Sequence, residues 1–507
     1  MLSSFLTVGG WTMASRILGF VRDILILAFL GTGPLYEAYV VAFRLPNMFR
    51  RFFAEGAFNA AFVPMFSKRL EADEHPMAFA GLALSWLGLV LLALTGLAML
   101  FMPALVYATA EGFYGDDRFD ITVDYGRVTF PYILFISLAA LLSGVLNAAG
   151  RFAAAAAAPV LLNVMLVTAM SVAWYLGGPV AEALIWTIPF AGLAQLALVW
   201  HAADRAGLRI RPARPRWTPE MGQLVRIAFP AALAGGVVQV NLLVGQLVAS
   251  NYDKAVSWLY SADRLYQLPL GVVGIAVGIV LLPDLSRRLK AGDDTGAREA
   301  YSRAGEISLA LTVPCAVALM VIPLPLVSVL FERGAFGTDD TAATALAVSI
   351  YGLGLPAFVL QKLLQPLFFA REDTKSPFRY ALVAMAVNAV LAVGLAYVIG
   401  WMAAAIATTA AGWVMVWLLL RGARGFGEVA RFDDRFRKRI WRIVIASALM
   451  GAVLWGGSVL LTPFFGLGGW RWLALLVLLS VGALSYFGLG QLLGAFRLSE
   501  LKTALRR

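Results

Sequence analysis

The chain has 507 residues, of which 61% are hydrophobic and only 14% are charged, and its formal net charge is +11. Apolar runs recur along its whole length, which excludes an ordinary soluble enzyme and is typical of a polytopic helical membrane protein. One cysteine and two histidines provide little material for thiol, metal or triad chemistry. We therefore expect an all-α membrane protein without a catalytic site, a metal or a cofactor.

Polar gaps divide the chain into fourteen predicted transmembrane helices. Lysine and arginine are concentrated in every second gap, and the positive-inside rule places those gaps in the cytoplasm. Because the number of spans is even, both termini are predicted to be cytoplasmic. The same distribution indicates that the excess of positive charge reflects membrane topology, and nucleic acid binding is a remote alternative. The predicted spans are 5–30, 35–66, 79–109, 126–149, 156–177, 181–203, 221–250, 255–286, 304–331, 341–369, 378–399, 401–420, 440–462 and 470–493.

The first span contains three charged residues, Arg16, Arg22 and Asp23. On an ideal helix they fall within one arc of about 120°, and the rest of the surface is apolar. A cation at the bilayer centre costs roughly 2.5 to 3.5 kcal/mol, so this arc is expected to face a cavity or a partner. An ion pair between Arg16 and Asp23 is the structural alternative.

The second span combines both signs of charge on one face. Glu37, Arg44, Arg51 and Glu55 project within about 40° of one another on an ideal helix, although Pro46 should kink it. We expect this face to line the same cavity. An ion pair of Arg51 with Glu55 at helical spacing is an equally good structural interpretation.

The gap after the third span is acidic from Glu111 to Asp124, and Arg118 is its only basic residue. The simplest interpretation of this stretch is a solvated outer loop.

The eighth and tenth spans add further polar residues. Asp263, Arg264 and Gln267 lie on one stripe of the eighth span, and Lys362 lies on the polar side of the tenth. We expect all four to support the same cavity. Arg264 and Asp263 are adjacent, so an ion pair between them is again the alternative.

An internal repeat predicts the domain organisation. Segments 42–72 and 262–291 both begin A-x-R-L and end P-x-[FL]-S-[KR]-R-L-x-A. Their offset corresponds to six spans, which predicts two parallel six-helix lobes related by an axis along the membrane normal. The predicted boundaries are 1–210 for the N-lobe, 211–425 for the C-lobe, and 426–507 for two additional helices and the tail.

The cations inside the spans favour an anionic guest. The seven cations are Arg16, Arg22, Arg44, Arg50, Arg51, Arg264 and Lys362. If all seven faced lipid, the penalty would be about 18 kcal/mol, which exceeds the usual net stability of a protein. They are therefore expected to share a central aqueous or ligand-filled cavity. The planar fork of arginine suits phosphate oxygens, so several arginines from neighbouring spans fit a diphosphate. The absence of a Walker motif in the sequence argues against ATP hydrolysis.

Three sequence strings resemble signatures of the MurJ/MviN lipid II flippase family. They are SRILGFVRD at 15–23, AFRLPNMFRRFFAEGAF at 42–58 and YSADRLYQLPLGVVGIAVGIVLLP at 260–283. The resemblance implies a transporter of the multidrug/oligosaccharidyl-lipid/polysaccharide exporter superfamily. It would move lipid II, an undecaprenyl diphosphate bearing a disaccharide pentapeptide, to the outer leaflet of the bacterial cytoplasmic membrane by alternating access.

The resemblance also implies site residues and partners. The essential arginines of the family fall on Arg16, Arg22, Arg51 and Arg264, with Asp23 beside the second of them. Many members have aspartate where this chain has Glu37. The expected partners are lipid II and membrane lipids, with the cell-wall synthesis machinery as a further candidate, and the expected state is a monomer.

Three other classes stay open at this point. A flippase for polyprenyl diphosphate-linked polysaccharide repeat units would share the cationic cavity but not the strings at 15–23 and 42–58. A multidrug or cation exporter would favour an acidic cavity. A membrane enzyme acting on polyprenyl diphosphates would need acidic metal ligands near the interface, and the sequence offers no convincing set.

Overall fold

The computed structural model describes residues 2–51, 57–467 and 469–496. Within that range the side chains of residues 2–6, 57, 60, 230–238, 240 and 272–283 are not described. Of the described residues 86% are helical and none lies in a strand, which confirms the all-α prediction.

Eighteen α-helices follow one another along the described chain, with short 3₁₀ turns over 111–113 and 424–430. The helices are α1 (Leu2–Leu30), α2 (Pro34–Arg50), α3 (Ala57–Ala72), α4 (Pro76–Leu100), α5 (Met102–Thr109), α6 (Asp117–Thr129), α7 (Tyr132–Ala148), α8 (Ala153–Tyr175), α9 (Val180–Arg205), α10 (Pro219–Ser250), α11 (Ala255–Lys290), α12 (Asp294–Val321), α13 (Pro323–Phe331), α14 (Thr338–Phe369), α15 (Lys375–Ile399), α16 (Met402–Ala423), α17 (Asp434–Phe465) and α18 (Arg471–Leu492).

Each of the fourteen predicted spans falls on one helix or on two consecutive helices. Three spans are divided within the described residues, and in each of them a proline, Pro103, Pro131 or Pro323, lies at the division. Proline lacks a backbone N–H and its ring clashes with the preceding turn, so the helix stops and a new one begins. Ten described helical segments are long and apolar enough to cross a membrane.

The first of two compact units comprises residues 1–257 and 333–336. One hydrophobic core of this unit is formed by apolar side chains of α2 to α10, together with the fully buried Phe62, Phe66 and Phe130. The unit thus includes α10 along with the helices of the first six spans. The compact units are defined by contacts, whereas the lobes predicted from the repeat are defined by internal symmetry. The predicted lobe boundaries therefore stay a prediction.

The second compact unit comprises residues 258–332 and 337–507. In it α17 and α18 pack together, and α17 packs on α12 through close contacts. A Cβ on Gly451 would lie 2.7 Å from Val317, and the Tyr486 hydroxyl donates to the Ala310 carbonyl at 2.6 Å. The two C-terminal helices are therefore fixed to α12 within this unit.

A buried carboxylate ties α12 to the start of α17. Glu306 accepts from Arg439 at 3.1 Å and forms ion pairs with Arg303 and, at 3.5 Å, with Arg435. Arg303 also pairs with Asp433, which caps α17 by accepting the Phe436 N–H. This ionic network holds one end of the α12–α17 contact.

Candidate functional site

The polar face of α1 places two of the predicted residues side by side in the first unit. Arg22 and Asp23 are buried, with 8% and 6% of their surfaces exposed. Arg22 donates from Nη2 and Nε to Asp23 Oδ1, at 2.7 and 3.0 Å. On other faces of the helix Met13, Ile17 and Val21 are exposed, so α1 is amphipathic as expected.

Asn163 of α8 fixes this face of α1 and was not predicted as a site residue. Its Oδ1 accepts from Arg22 Nη1 at 3.0 Å, and its Nδ2 donates to the Ser15 carbonyl at 3.0 Å. Gly19 leaves room for the amide, since a Cβ there would lie 3.5 Å from it. One amide therefore orients the Arg22 guanidinium and holds α1 against α8. The sequence signal was a single asparagine in an otherwise apolar stretch.

Arg16 lies on the same helix but in a different environment. It is exposed, and no hydrogen bond or ion pair joins it to another described residue. The alternative of an Arg16–Asp23 pair is wrong in this structure, because Asp23 takes the neighbouring Arg22. Seven residues span two helical turns, about 10.5 Å, which explains the preference for the adjacent arginine.

Glu37 is packed among three helices at the start of α2. It is fully buried, and its Oε2 accepts from Arg118 Nη1 at 2.9 Å while its Oε1 accepts the Val256 N–H at 3.1 Å. Glu37 lies in the first turn of α2, and Arg51 follows the last. The two are therefore about 20 Å apart along the helix, too far to act on one small group. Glu37 joins α2, α6 and the start of α11.

Arg118 is the second residue whose importance the sequence did not reveal. Its guanidinium pairs with Asp116 Oδ2 at 2.6 Å as well as with Glu37, and it lies 4.5 Å above the Phe113 ring. Phe113 itself is fully buried. The interpretation of 111–124 as a simply solvated loop is therefore wrong, because its middle is anchored in the first unit.

The remaining predicted residues of the second span have less definite positions. Arg51 is exposed, and its Nη1 lies 3.4 Å from Gln239 Oε1 of α10. Arg44 is half-buried. Glu55 lies outside the described residues, so its expected pairing with Arg51 stays a prediction.

In the second unit the predicted residues lie on α11 and α14. Arg264 donates to the Tyr260 hydroxyl and its Cζ lies 4.3 Å above the same ring. Asp263 accepts from Gln267 Nε2 one turn away. Lys362 is exposed on α14. On α11 the partly buried Arg264 therefore stacks on the ring of Tyr260, and Asp263 and Gln267 lie on the same stripe of the helix.

Long apolar helices that retain arginines and carboxylates within their spans are typical of a multi-pass membrane protein with an internal polar site, such as a transporter. The family model described as "Lipid II flippase MurJ" matches residues 26–475. The chain belongs to the lipid II flippase MurJ family, as a multi-pass protein of the inner membrane.

Two relatives and two solved structures illustrate this membership. A probable lipid II flippase MurJ of Rhizobium tropici is 43% identical, covering 100% of this chain and 97% of its own. That of Rhizobium meliloti (strain 1021) is 46% identical, covering 90% and 86%. A structure of "Lipid II flippase MurJ, inward closed conformation" has a TM-score of 0.80 at 24% identity, covering 96% and 98%. An inward-facing multidrug resistance MATE family transporter has a TM-score of 0.61 at 13% identity, covering 84% and 94%. The last two matches bear on the fold alone.

Proposed function

We propose that this protein flips lipid II from the cytoplasmic to the outer leaflet by alternating access, as a transporter and not as an enzyme. The observation that carries the proposal is the family match over residues 26–475, supported by full-length relatives that are named probable lipid II flippases. The polysaccharide-repeat-unit flippase is not favoured, because the relatives above 40% identity carry the lipid II name.

The arginines suit the diphosphate of this substrate. We assign Arg16, Arg22, Arg51 and Arg264 to binding of the diphosphate and the acidic peptide, because they stand where the family resemblance implies the essential arginines. A guanidinium presents a planar fork of donors, which matches phosphate oxygens from several directions. Asp23 and Asn163 fix the plane of the Arg22 guanidinium, which would exchange part of these contacts for phosphate oxygens when the substrate binds.

Release is as important as binding for a transporter. A ligand held equally tightly in every state shifts no equilibrium and would not leave. Asp23 supports release, because it offsets part of the charge of Arg22 at 2.7 Å. Glu37 supports the site from a distance, through its pair with Arg118 rather than by contact with Arg51.

The proposal also includes the membrane topology, the oligomeric state, the lobe boundaries and the supporting residues of the cavity. Both termini lie in the cytoplasm, the protein acts as a monomer, and the repeat-related lobes span 1–210 and 211–425, with 426–507 added. Arg44, Glu55, Asp263, Gln267 and Lys362 support the cavity. Cell-wall synthesis enzymes are its expected neighbours in the membrane.

The test is depletion of the protein followed by measurement of lipid II accessible from the outer face. We expect lipid II to accumulate on the inner leaflet and wild-type protein to restore its export. Alanine at Arg16, Arg22, Arg51 or Arg264 should abolish that restoration while the protein remains in the membrane.

Arg424→Ala is the matched control, because Arg424 is exposed and lies outside the proposed site. It should restore export fully. Unchanged outward lipid II after depletion would refute the function. Normal export by all four alanine variants would refute the assigned residues and leave the function standing.

A further inference from the structure

The segment that joins α9 to α10 lacks regular secondary structure, yet it is fixed along α4. We call residues 209–217, RIRPARPRW, the basic strap. The Ala213 N–H donates to Ser85 Oγ at 2.9 Å, and Trp86 Nε1 donates to the Arg216 carbonyl at 3.0 Å. Such repeated attachment to one helix shows that the strap is a formed surface of the first unit.

Glycine and an apolar anchor complete this attachment. A Cβ on Gly81 would lie 2.3 Å from the Arg211 carbonyl oxygen, so only glycine lets the strap approach α4 this closely. Ile210 is 1% exposed and joins the hydrophobic core of the unit. The backbone of the strap therefore faces the helix, and its long side chains are left to the exterior.

The strap presents arginines with little acidic compensation. Arg209, Arg211, Arg214 and Arg216 are all exposed. Among the described residues the one ion pair of this group joins Arg211 to Asp204, at 3.9 Å with both side chains partly solvated. Arg211 and Arg214 each precede a proline, which favours an extended backbone and keeps the guanidinium groups apart.

Trp86 of α4 and Trp217 of the strap indicate how deep the strap lies relative to the membrane. Trp217 is 65% exposed, and its ring meets the Trp86 ring edge to face at 5.8 Å. Tryptophan is enriched where membrane proteins cross the headgroup region. Because α4 is long and apolar enough to span the membrane and the strap contacts residues 81–86 near its N-terminal end, we expect the strap to lie beside the lipid headgroups.

We propose that the basic strap binds the headgroup phosphates of acidic phospholipids. Guanidinium groups form charge-assisted hydrogen bonds with phosphate oxygens, and clustered basic residues beside a span attract anionic lipids. The strap differs from the substrate-binding arginines in sequence and in contacts, so the inference goes beyond lipid II transport. Bound lipid would hold the connection between α9 and α10 against α4.

The first experiment titrates the purified full-length protein in detergent with phosphatidylglycerol and counts bound lipids by native mass spectrometry. The strap variant carries R209Q, R211Q, R214Q and R216Q. A control variant carries R287Q, R424Q, R437Q and K438Q, which removes the same charge from other exposed positions. Circular dichroism and thermal unfolding check that both variants are folded.

The expected result is specific to the strap. Each basic residue near an anionic surface contributes about 5-fold to lipid affinity, so the strap variant should need at least about tenfold more phosphatidylglycerol for half-saturation. The control should change less than about twofold, and phosphatidylcholine should distinguish none of the proteins. Equal losses in both variants would overturn the proposal, as would displacement of the lipid by equimolar inorganic phosphate or by an acidic peptide.

A second experiment moves the strap without changing charge. Gly81→Ala should displace the Arg211 carbonyl and weaken phosphatidylglycerol binding. Gly96→Ala on the same helix should not, because no atom lies within 4 Å of the added Cβ. Brominated phosphatidylglycerol should quench Trp217, and Trp217→Phe should lose that part of the quenching. Wild-type binding by Gly81→Ala together with unchanged quenching in Trp217→Phe would overturn the assignment of the lipid to the strap.

Discussion

Replacing Arg118 with alanine removes the guanidinium that neutralises a fully buried carboxylate. Glu37 is 0% exposed, and Arg118 Nη1 lies 2.9 Å from its Oε2. After the substitution the carboxylate keeps one described donor, the Val256 N–H at 3.1 Å. The substitution therefore leaves the Glu37 carboxyl group in the interior of the first unit without its counter-ion, either charged and unpaired or neutralised at the cost of taking up a proton.

The magnitude follows from the burial of the pair. Removing one partner of a buried ion pair costs about 3 to 5 kcal/mol. We expect the lower end, about 3 kcal/mol, because the Val256 N–H remains and the Arg118 side chain is 11% exposed. For a unit of this size that corresponds to a fall of about 6 to 12 °C in Tm.

Thermal unfolding of the purified protein in detergent measures this effect. Arg127→Ala is the matched control, since Arg127 pairs with Asp124 at 3.7 Å and both side chains are largely exposed. It should lower the stability by at most about 1 kcal/mol. A double variant, Arg118→Ala with Glu37→Gln, should recover part of the loss because it removes the buried charge. Equal Tm values for Arg118→Ala and Arg127→Ala, with no recovery in the double variant, would refute the reasoning.

Three further substitutions test contacts inside each unit. Asn163→Ala should reduce lipid II export at least about tenfold at a normal membrane level, because losing a hydrogen bond to a charged group costs about 1.5 to 3 kcal/mol. The control is Thr168→Ala at an exposed position on α8, and equal export by the two variants would contradict the prediction. Glu306→Ala should lower Tm by several degrees, since it leaves three arginines facing one another, whereas the exposed Glu299→Ala should not. Gly451→Leu should destabilise the α12–α17 contact by about 1 to 3 kcal/mol through overpacking. Thermal unfolding measures this change, and an unchanged Tm would contradict the prediction.

The sequence by itself determined the class of protein and its spans. A transmembrane helix is recognised by a local property, a run of apolar residues long enough to cross the bilayer, so all fourteen spans could be read from the chain. The amphipathic face of α1 is also local, because the angular positions of Arg16, Arg22 and Asp23 depend only on helix geometry. The short strings at 15–23, 42–58 and 260–283 likewise identified the family that the full-length comparison confirms.

Only the tertiary structure decided which charged groups meet. Arg22 contacts Asn163 across 141 positions, and Glu37 contacts Arg118 across 81 and Val256 across 219. Helical periodicity gives the face on which a residue lies, but contact also depends on the rotation, depth and neighbours of each helix in the packed unit. For that reason Glu37 could be assigned to a polar face from the sequence, while its partners could not. The attachment of the strap to α4 could not be predicted from the sequence for the same reason, because a hydrogen bond from Ala213 to Ser85 leaves no periodic pattern in either segment.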